Sequence, residues 1–352
     1  MKRIVIVGTA TRGGVRSVID SYLNSGFYSN SQIEVLSSHK EGGVFLKMII
    51  AIFTLMKMFT LLLLRRVSLV HLHVASKSSF WRKSLFLLLG RMHRVPVIIH
   101  LHGGGFKDFY ENGPGWSKWY IRLVLNYSSS IIVLSKYWNN FIQPLTKTPI
   151  KVINNFVPDC FHNAQFVSKR RPYNILFLGV LNRPKGVYDL IAAFSEVSKR
   201  FPKARLILGG DGEIDKVRKM ATELMVNDAI DLPGWVSGAK KEELMHRCSI
   251  FVLPSYKEGL PISIIEAMSC SMAVISTRVG GIPELVDEAN GYLISPGNNE
   301  ELSTALIRTL EKDEQVITKM GSTSRDKYLN SFTPETCLSE MRSVYLSLGV
   351  AP

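Results

Sequence analysis

The sequence predicts an α/β fold built from two doubly wound domains, and three observations carry that expectation. A chain of 352 residues with 46% hydrophobic content is ample for two cores of ordinary size. Short apolar runs alternate with longer helical patterns along nearly all of it, as parallel strands covered on both faces require. Candidate strands fall at 3–7, 33–36, 67–72, 95–100, 130–134 and 150–153, then at 173–178, 204–208, 229–232, 249–253 and 273–276. Finally, the polar and basic run 163–172 breaks the alternation and marks a boundary. The expected domains are therefore 1–165 and 172–331, followed by a last helix near 335–348 that Thr333-Pro334 opens. Open sheets of this kind take ligands beyond their strand C-termini, so a cleft between two such edges is the expected site.

Along the first half, MKRIVIV has four consecutive apolar residues before Gly8, too few for a signal-peptide core, and reads as a buried strand. The turn GTATRGG (8–14) follows, where a phosphate-binding loop belongs, but it is neither G-x-G-x-x-G nor a P-loop. Residues 44–66 (VFLKMIIAIFTLMKMFTLLLLRR) are long enough to span a bilayer, yet Lys47 and Lys57 interrupt them. On a helix those lysines lie about 80° apart and can share one polar edge. That favours a helix lying in a membrane interface, with Arg65 and Arg66 at headgroups, over a packed core helix. His71, His73, His100 and His102 form two H-x-H pairs, each pointing to one face of a strand. A metal site is conceivable there, though a core role suits most of them.

Charge is uneven. Residues 1–171 hold 23 Lys and Arg against 6 Asp and Glu, a net of +17, while 172–352 hold 20 against 23, a net of −3. The first half thus attracts polyanions. No nucleic-acid-binding signature accompanies the charge, so an anionic membrane surface is the expected partner and nucleic acid is not. Four scattered cysteines suggest neither a disulfide framework nor a zinc site, and a cytoplasmic setting is the default.

The most informative stretch is 258–266 (EGLPISIIE), two glutamates eight positions apart around a Gly-Leu-Pro turn. Pro261 suits the first position of a helix. Such a start offers free N–H groups and a positive dipole end to an anion. Glu258 and Glu266 flank it, placed to accept hydrogen bonds from hydroxyls. A sugar joined to a nucleoside diphosphate has hydroxyls at both ends and phosphates between.

In its setting, FVLPSYKEGLPISIIEAMSCSMAVISTRVGGIPELV (251–286), this segment resembles the retaining glycosyltransferases of family 4, with the two-domain GT-B fold. The glutamate pair, the EAM and the GGIPE elements carry the likeness. Weaker matches are Gly13-Gly14, His102-Gly103, FLGVLNRPKG (177–186) and GGDGE (209–213). The resemblance implies a nucleotide-sugar donor, UDP-linked in preference to GDP-linked, and needs no metal or other cofactor. By the same likeness His102 contacts the transferred sugar, Glu258 binds sugar hydroxyls and Glu266 the ribose. Lys185 with Arg183, the 259–262 helix start (Gly259, Leu260, Pro261, Ile262) and the Gly13-Gly14 turn hold the diphosphate. Leu232 to Val236 (LPGWV) lines the base. The family usually has arginine after the strand glycine, where this chain has Val180. The last helix is expected to cross back to the first domain. Together with charge and hydrophobicity, the likeness points to a lipid-linked saccharide acceptor in bacterial surface polysaccharide biosynthesis, at the inner face of a cell membrane. The alternative is a membrane- or nucleic-acid-binding protein on a degenerate scaffold.

Overall fold

The computed structural model describes residues 2–11, 13–28, 32–39, 43–159 and 171–352; the expected boundary run lies outside them up to residue 170. The chain divides into two compact units, Met1–Phe156 with Pro334–Pro352, and Val157–Thr333. Unit 1 runs β1 (Arg3–Gly8), α1 (Gly14–Asn24), β2 (Gln32–Ser37), α2 (Val44–Leu63), β3 (Val67–Val74), α3 (Ser78–Met92), β4 (Val97–Leu101), α4 (Phe106–Glu111), α5 (Gly115–Tyr127), β5 (Ser130–Val133), α6 (Lys136–Ile142) and β6 (Ile150–Val152). Unit 2 runs β7 (Arg171–Leu178), α7 (Val187–Arg200), β8 (Arg205–Gly209), α8 (Ile214–Glu223), β9 (Ile230–Gly234), α9 (Gly238–Arg247), β10 (Cys248–Leu253), α10 (Ile262–Ser269), β11 (Ala273–Thr277), β12 (Gly291–Ile294), α11 (Asn299–Leu310) and α12 (Glu314–Ser331). The last helix, α13 (Pro334–Ser347), belongs to unit 1.

Each unit holds one six-stranded parallel sheet, ordered β2-β1-β3-β4-β5-β6 and β12-β11-β10-β7-β8-β9. Helices on both faces explain why β4 and β10 are buried at every residue and are mostly apolar without alternating. The sequence pattern missed β12. It is four residues long and opens on Gly291, where a Cβ would come 1.7 Å from the Val274 carbonyl oxygen. Cys248 and Cys337 are buried and lie outside any disulfide, whereas Cys270 is disulfide-bonded, which the scattered spacing did not suggest. Spacing along a chain does not reveal which thiols meet in space.

One face of the unit 1 sheet is an ordinary apolar core, where Val5, Val7, Val70, Leu72 and Ile99 meet Met58, Phe86, Leu87 and Ile121. The other face carries imidazoles. In register, His73 lies opposite His100, and His71, His73 and His100 are all buried. The His71 Nδ1 lies 2.7 Å from the Tyr345 hydroxyl of α13, and that hydroxyl lies 3.1 Å from Tyr28 Oη. The last helix is thus tied to the sheet by polar groups as well as by packing.

Helix α2 packs by Met58, Leu61 and Leu62. Only 17% of its 45–63 stretch is buried, so it is not a core helix. Phe45, Met48, Ile52, Met56, Phe59 and Leu63 recur every three or four residues and form one exposed apolar stripe. Neither lysine lies on the stripe: Lys57 pairs with Glu34 at 2.5 Å and Lys47 is half-buried. Thr54 donates to the carbonyl of Ser37, the last residue of β2, and Lys57 meets Glu34 three residues earlier in the strand. The helix therefore runs antiparallel to β2, and the turns before Thr54 extend past the strand's end by about 13 Å at 1.5 Å per residue.

Burial pushes the pKa of His71 down to about 3, and holds those of His73 and His100 well below the ordinary value. The unfolded chain takes up protons below about pH 6.5 that these folded imidazoles refuse. Stability present above that pH is lost as pH falls toward 3. Carboxyls such as Glu34 and Asp287 are held below their usual values, chiefly by Lys57 and Lys327, and titrate lower still. We expect the urea midpoint, read by tryptophan fluorescence, to fall between pH 6.5 and 5. His71→Phe should flatten that slope; an unchanged slope in the variant would contradict the assignment.

Candidate active site

After β10 the chain turns through Ser255–Leu260 into α10. Pro261 is the N-cap residue of that helix, with φ −71° and ψ 122°, and not its first helical residue as the sequence suggested. A residue with proline's fixed φ fits either place, and ψ decides between them. Its carbonyl accepts from Ile264 and Ile265 at 3.2 and 3.4 Å. The N–H groups of Ile262 and Ser263 precede the first intrahelical bonds and are directed out of the helix start. With the helix dipole behind them they suit an anion.

Two glycines fix this loop by direct backbone contact. Gly280 has φ +54°, and a Cβ there would lie 2.0 Å from the Glu258 carbonyl oxygen. Its neighbour Gly281 donates to the Gly259 carbonyl at 2.8 Å. On the other side Gly186 has φ +71°, and a Cβ would lie 2.1 Å from the Pro254 carbonyl oxygen. Tyr256 N–H donates to the Pro184 carbonyl at 3.0 Å. The turn carrying Lys185 is thereby held against the loop carrying Glu258. Asn182 adds a cap, its side chain accepting from the Lys185 N–H at 3.2 Å.

The outcome is a pair. Lys185 Nζ sits 2.6 Å from Glu258 Oε1, with the carboxylate buried and the ammonium partly exposed. An ammonium has three donors, so it can serve that carboxylate and a phosphate together. Arg183 occupies the same turn but is exposed, and Val180 lies on the loop just before it. Glu266, one helical turn into α10, pairs with Lys241 of α9 at 2.5 Å. The sequence gave no hint of that lysine, since 25 residues separate the two and nothing periodic links them. The doubled glycine of GGIPE was the visible trace of Gly280.

Gly13, Gly14 and His102 belong to unit 1. Gly13 precedes α1 with φ +137°, and a Cβ on either glycine would meet nothing within 4 Å, so the demand at Gly13 is conformational. His102 follows β4, and its N–H donates to the Val74 carbonyl at 2.8 Å. Its Nε2 lies 2.8 Å from His73 Nδ1, its ring centroid lies 4.1 Å from that of His100 with the planes tilted by 35°, and burial pushes its pKa down to about 3. The ring nitrogens of His71, His73 and His100 lie within 4.8 Å of one another. The His71 ring is stacked on those of His73 and His100, with interplanar angles of 11° and 21°. Imidazole lone pairs lie in the ring plane, so parallel rings do not aim them at one ion. The cluster is a hydrogen-bonded column and not a chelate.

Two parallel six-stranded sheets, with an anion-seeking helix start flanked by Lys185, Glu258 and Glu266 in the second, define a GT-B protein of nucleotide-sugar chemistry. Comparison with known proteins agrees. Residues 161–327 match the model of glycosyl transferases group 1, and residues 25–159 that of glycosyltransferase family 4. An uncharacterized glycosyltransferase of Methanocaldococcus jannaschii is 30% identical over 287 residues, covering 80% of this chain and 76% of that one. The UDP-Gal:α-D-GlcNAc-diphosphoundecaprenol α-1,3-galactosyltransferase of Escherichia coli is 23% identical, covering 84% and 80%. HepE of Anabaena, solved with UDP and glucose, superposes with a TM-score of 0.74 at 18% identity, covering 99% and 100%. The chain belongs to glycosyltransferase family 4, the group 1 glycosyl transferases, and is a retaining, nucleotide-sugar-dependent enzyme. The degenerate-scaffold alternative gives way to that membership.

Gly280→Ala should cost about 1–3 kcal/mol in backbone strain alone and displace the Glu258 loop. Both a lower melting temperature and weaker UDP binding are expected. A variant indistinguishable from the parent in each would show that the close approach does not matter.

Proposed function

We propose that this enzyme transfers a sugar from a UDP-sugar to a lipid-linked saccharide at the cytoplasmic face of a membrane, in bacterial surface polysaccharide assembly. The bond broken joins the anomeric carbon to the β-phosphate oxygen, and negative charge grows on the departing diphosphate. Lys185, Arg183 and the N–H groups of Ile262 and Ser263 stabilise it as preorganised donors. Glu266, oriented by its ion pair with Lys241, accepts from the ribose hydroxyls. Glu258 accepts from the sugar, and His102 with the Gly13-Gly14 turn acts from unit 1. The acceptor oxygen attacks on the face the leaving group vacates, and its proton passes to the departing phosphate. No enzymic nucleophile is required.

The lipid-linked acceptor rests on one observation: the uncovered apolar stripe of α2 within a first half of net charge +17. The Escherichia coli relative, whose acceptor is a diphosphoundecaprenol-linked sugar by its name, supports it. Apolar side chains supply insertion, and each nearby Lys or Arg adds roughly 1 kcal/mol at an anionic surface, screened beyond a Debye length.

For the donor site, Glu258→Ala and Glu266→Ala should each fold and lose most transfer activity. Lys185→Ala should weaken UDP binding while leaving uridine binding unchanged. Near-normal turnover in both glutamate variants would defeat the assignment. For the membrane, flotation with anionic vesicles should retain the protein at low salt and release much of it at high salt. Ile52→Asp with Met56→Asp should remove the salt-resistant fraction. If the parent ignores anionic vesicles at low salt, a soluble acceptor becomes the reading.

A further inference from the structure

Helix α3 begins in a setting that the donor chemistry does not use. Its first turn has Ser78 and Ser79 and no acidic residue, and it is entered through Lys77, which holds φ +55° without being glycine. Lys83, one turn further, is only 3% exposed. Its ammonium donates to Ser79 Oγ at 3.0 Å and has no other acceptor among the described residues. The charged and titratable groups that face it are Arg82, His73 and His102. None is a carboxylate. Arg82 reaches Ser38 Oγ at 3.5 Å through Nε and forms no ion pair among the described residues.

A buried ammonium with one serine for company weakens the fold, because its charge is taken out of water without an opposite charge. Burial accordingly drives its pKa down to about 7. Methionine would fill the same space without that cost. The Ser76–Ser79 loop also lies directly against His102-Gly103: a Cβ on Gly103 would come 2.9 Å from the Ser76 nitrogen. Two cations, two hydroxyls and an open start of a 15-residue helix thus gather beside the histidine of the transfer site. The projecting half of α2 departs from the same place, since Thr54 is bonded to Ser37, the neighbour of Ser38.

We propose that Lys83 and Arg82, with Ser79 and the start of α3, form a second anion site that seats the diphosphate of the acceptor. The proposal rests on the lipid-linked reading above, and gives that acceptor a head-and-tail fit: diphosphate at Arg82 and Lys83, hydrocarbon along the α2 stripe. Arginine supplies a planar fork and lysine a point charge, a combination suited to two adjacent phosphates.

The test is calorimetric titration of inorganic pyrophosphate into full-length enzyme saturated with UDP, so that the donor site is already filled. The parent should bind. Lys83→Met and Arg82→Gln should each weaken pyrophosphate at least about tenfold while UDP affinity stays within about twofold. Lys83→Met should melt no lower than the parent at pH 7, which separates loss of a ligand from loss of the fold. Farnesyl diphosphate should bind more tightly than pyrophosphate in the parent, and Ile52→Asp should erase only that difference, which assigns the anion to a lipid and not to free phosphate. No pyrophosphate binding beside UDP, or equal binding by parent and both variants, overturns the site. Failure of the parent to bind UDP would instead overturn the donor reading.

Discussion

The carbonyl oxygens of Glu258 and Pro254 approach Gly280 and Gly186 to distances that leave no room for a β-carbon. Three segments from different parts of unit 2 are held together there: the turn after β7, the loop after β10 and the turn after β11. The side chains of the donor site ride on those segments. Lys185 meets Glu258 because backbone meets backbone underneath, not because a salt bridge pulls the segments together. An exposed lysine and a carboxylate in water gain little from pairing. The steric fit places them, and their attraction then has a fixed geometry in which to act on a ligand.

Unit 1 solves a different problem. Its sheet buries three imidazoles, with that of His102 beside them, and a lysine without a counter-ion, where unit 2 buries mostly aliphatic side chains. Burial favours the neutral imidazoles, and His71 pairs with His100 and His73 with His102 through ring nitrogens, while the buried His100 Nε2 has no partner among the described residues. Lys83 has no such remedy. A polar core that hydrogen-bonds internally is architecture, and one that leaves a charge unanswered is set aside for something else.

The alternation of period-two and period-3.6 patterns made eleven of twelve strands legible, because parallel strands buried on both faces leave few other readings. Gly291 hid the twelfth, a glycine standing where the pattern needed a side chain. Of the donor side, the glutamates stood out by their spacing around glycine and proline, and Lys185 through the family likeness. Lys241 could not, because ion pairs between separate helices have no signature in sequence. The length and apolarity of α2 were equally plain, and its two lysines lie off the apolar stripe, on the other side of the helix. They mark the flanks where the helix meets protein, and the stripe between Phe45 and Leu63 is free of charge altogether. The H-x-H pairs announced which face they would share. Their stacking, and the tyrosine of α13 that completes it, depended on residues 274 positions away.

That last partnership has a consequence for how the chain is made. Unit 2 is continuous from Val157 to Thr333, so a ribosome delivers all of it as one piece. Unit 1 is delivered in two pieces, and Tyr345 follows all of unit 2 in the chain. Until it emerges, Tyr28 and His71 face a gap on the sheet that nothing fills, while the second unit already has everything it needs. The order of folding is therefore inverted relative to the order of synthesis: the later unit can close first, and the earlier one waits for α13 to emerge. A nascent chain halted before Pro334 would carry a finished donor half joined to an unsealed partner, exposing aromatic surface to chaperones and proteases.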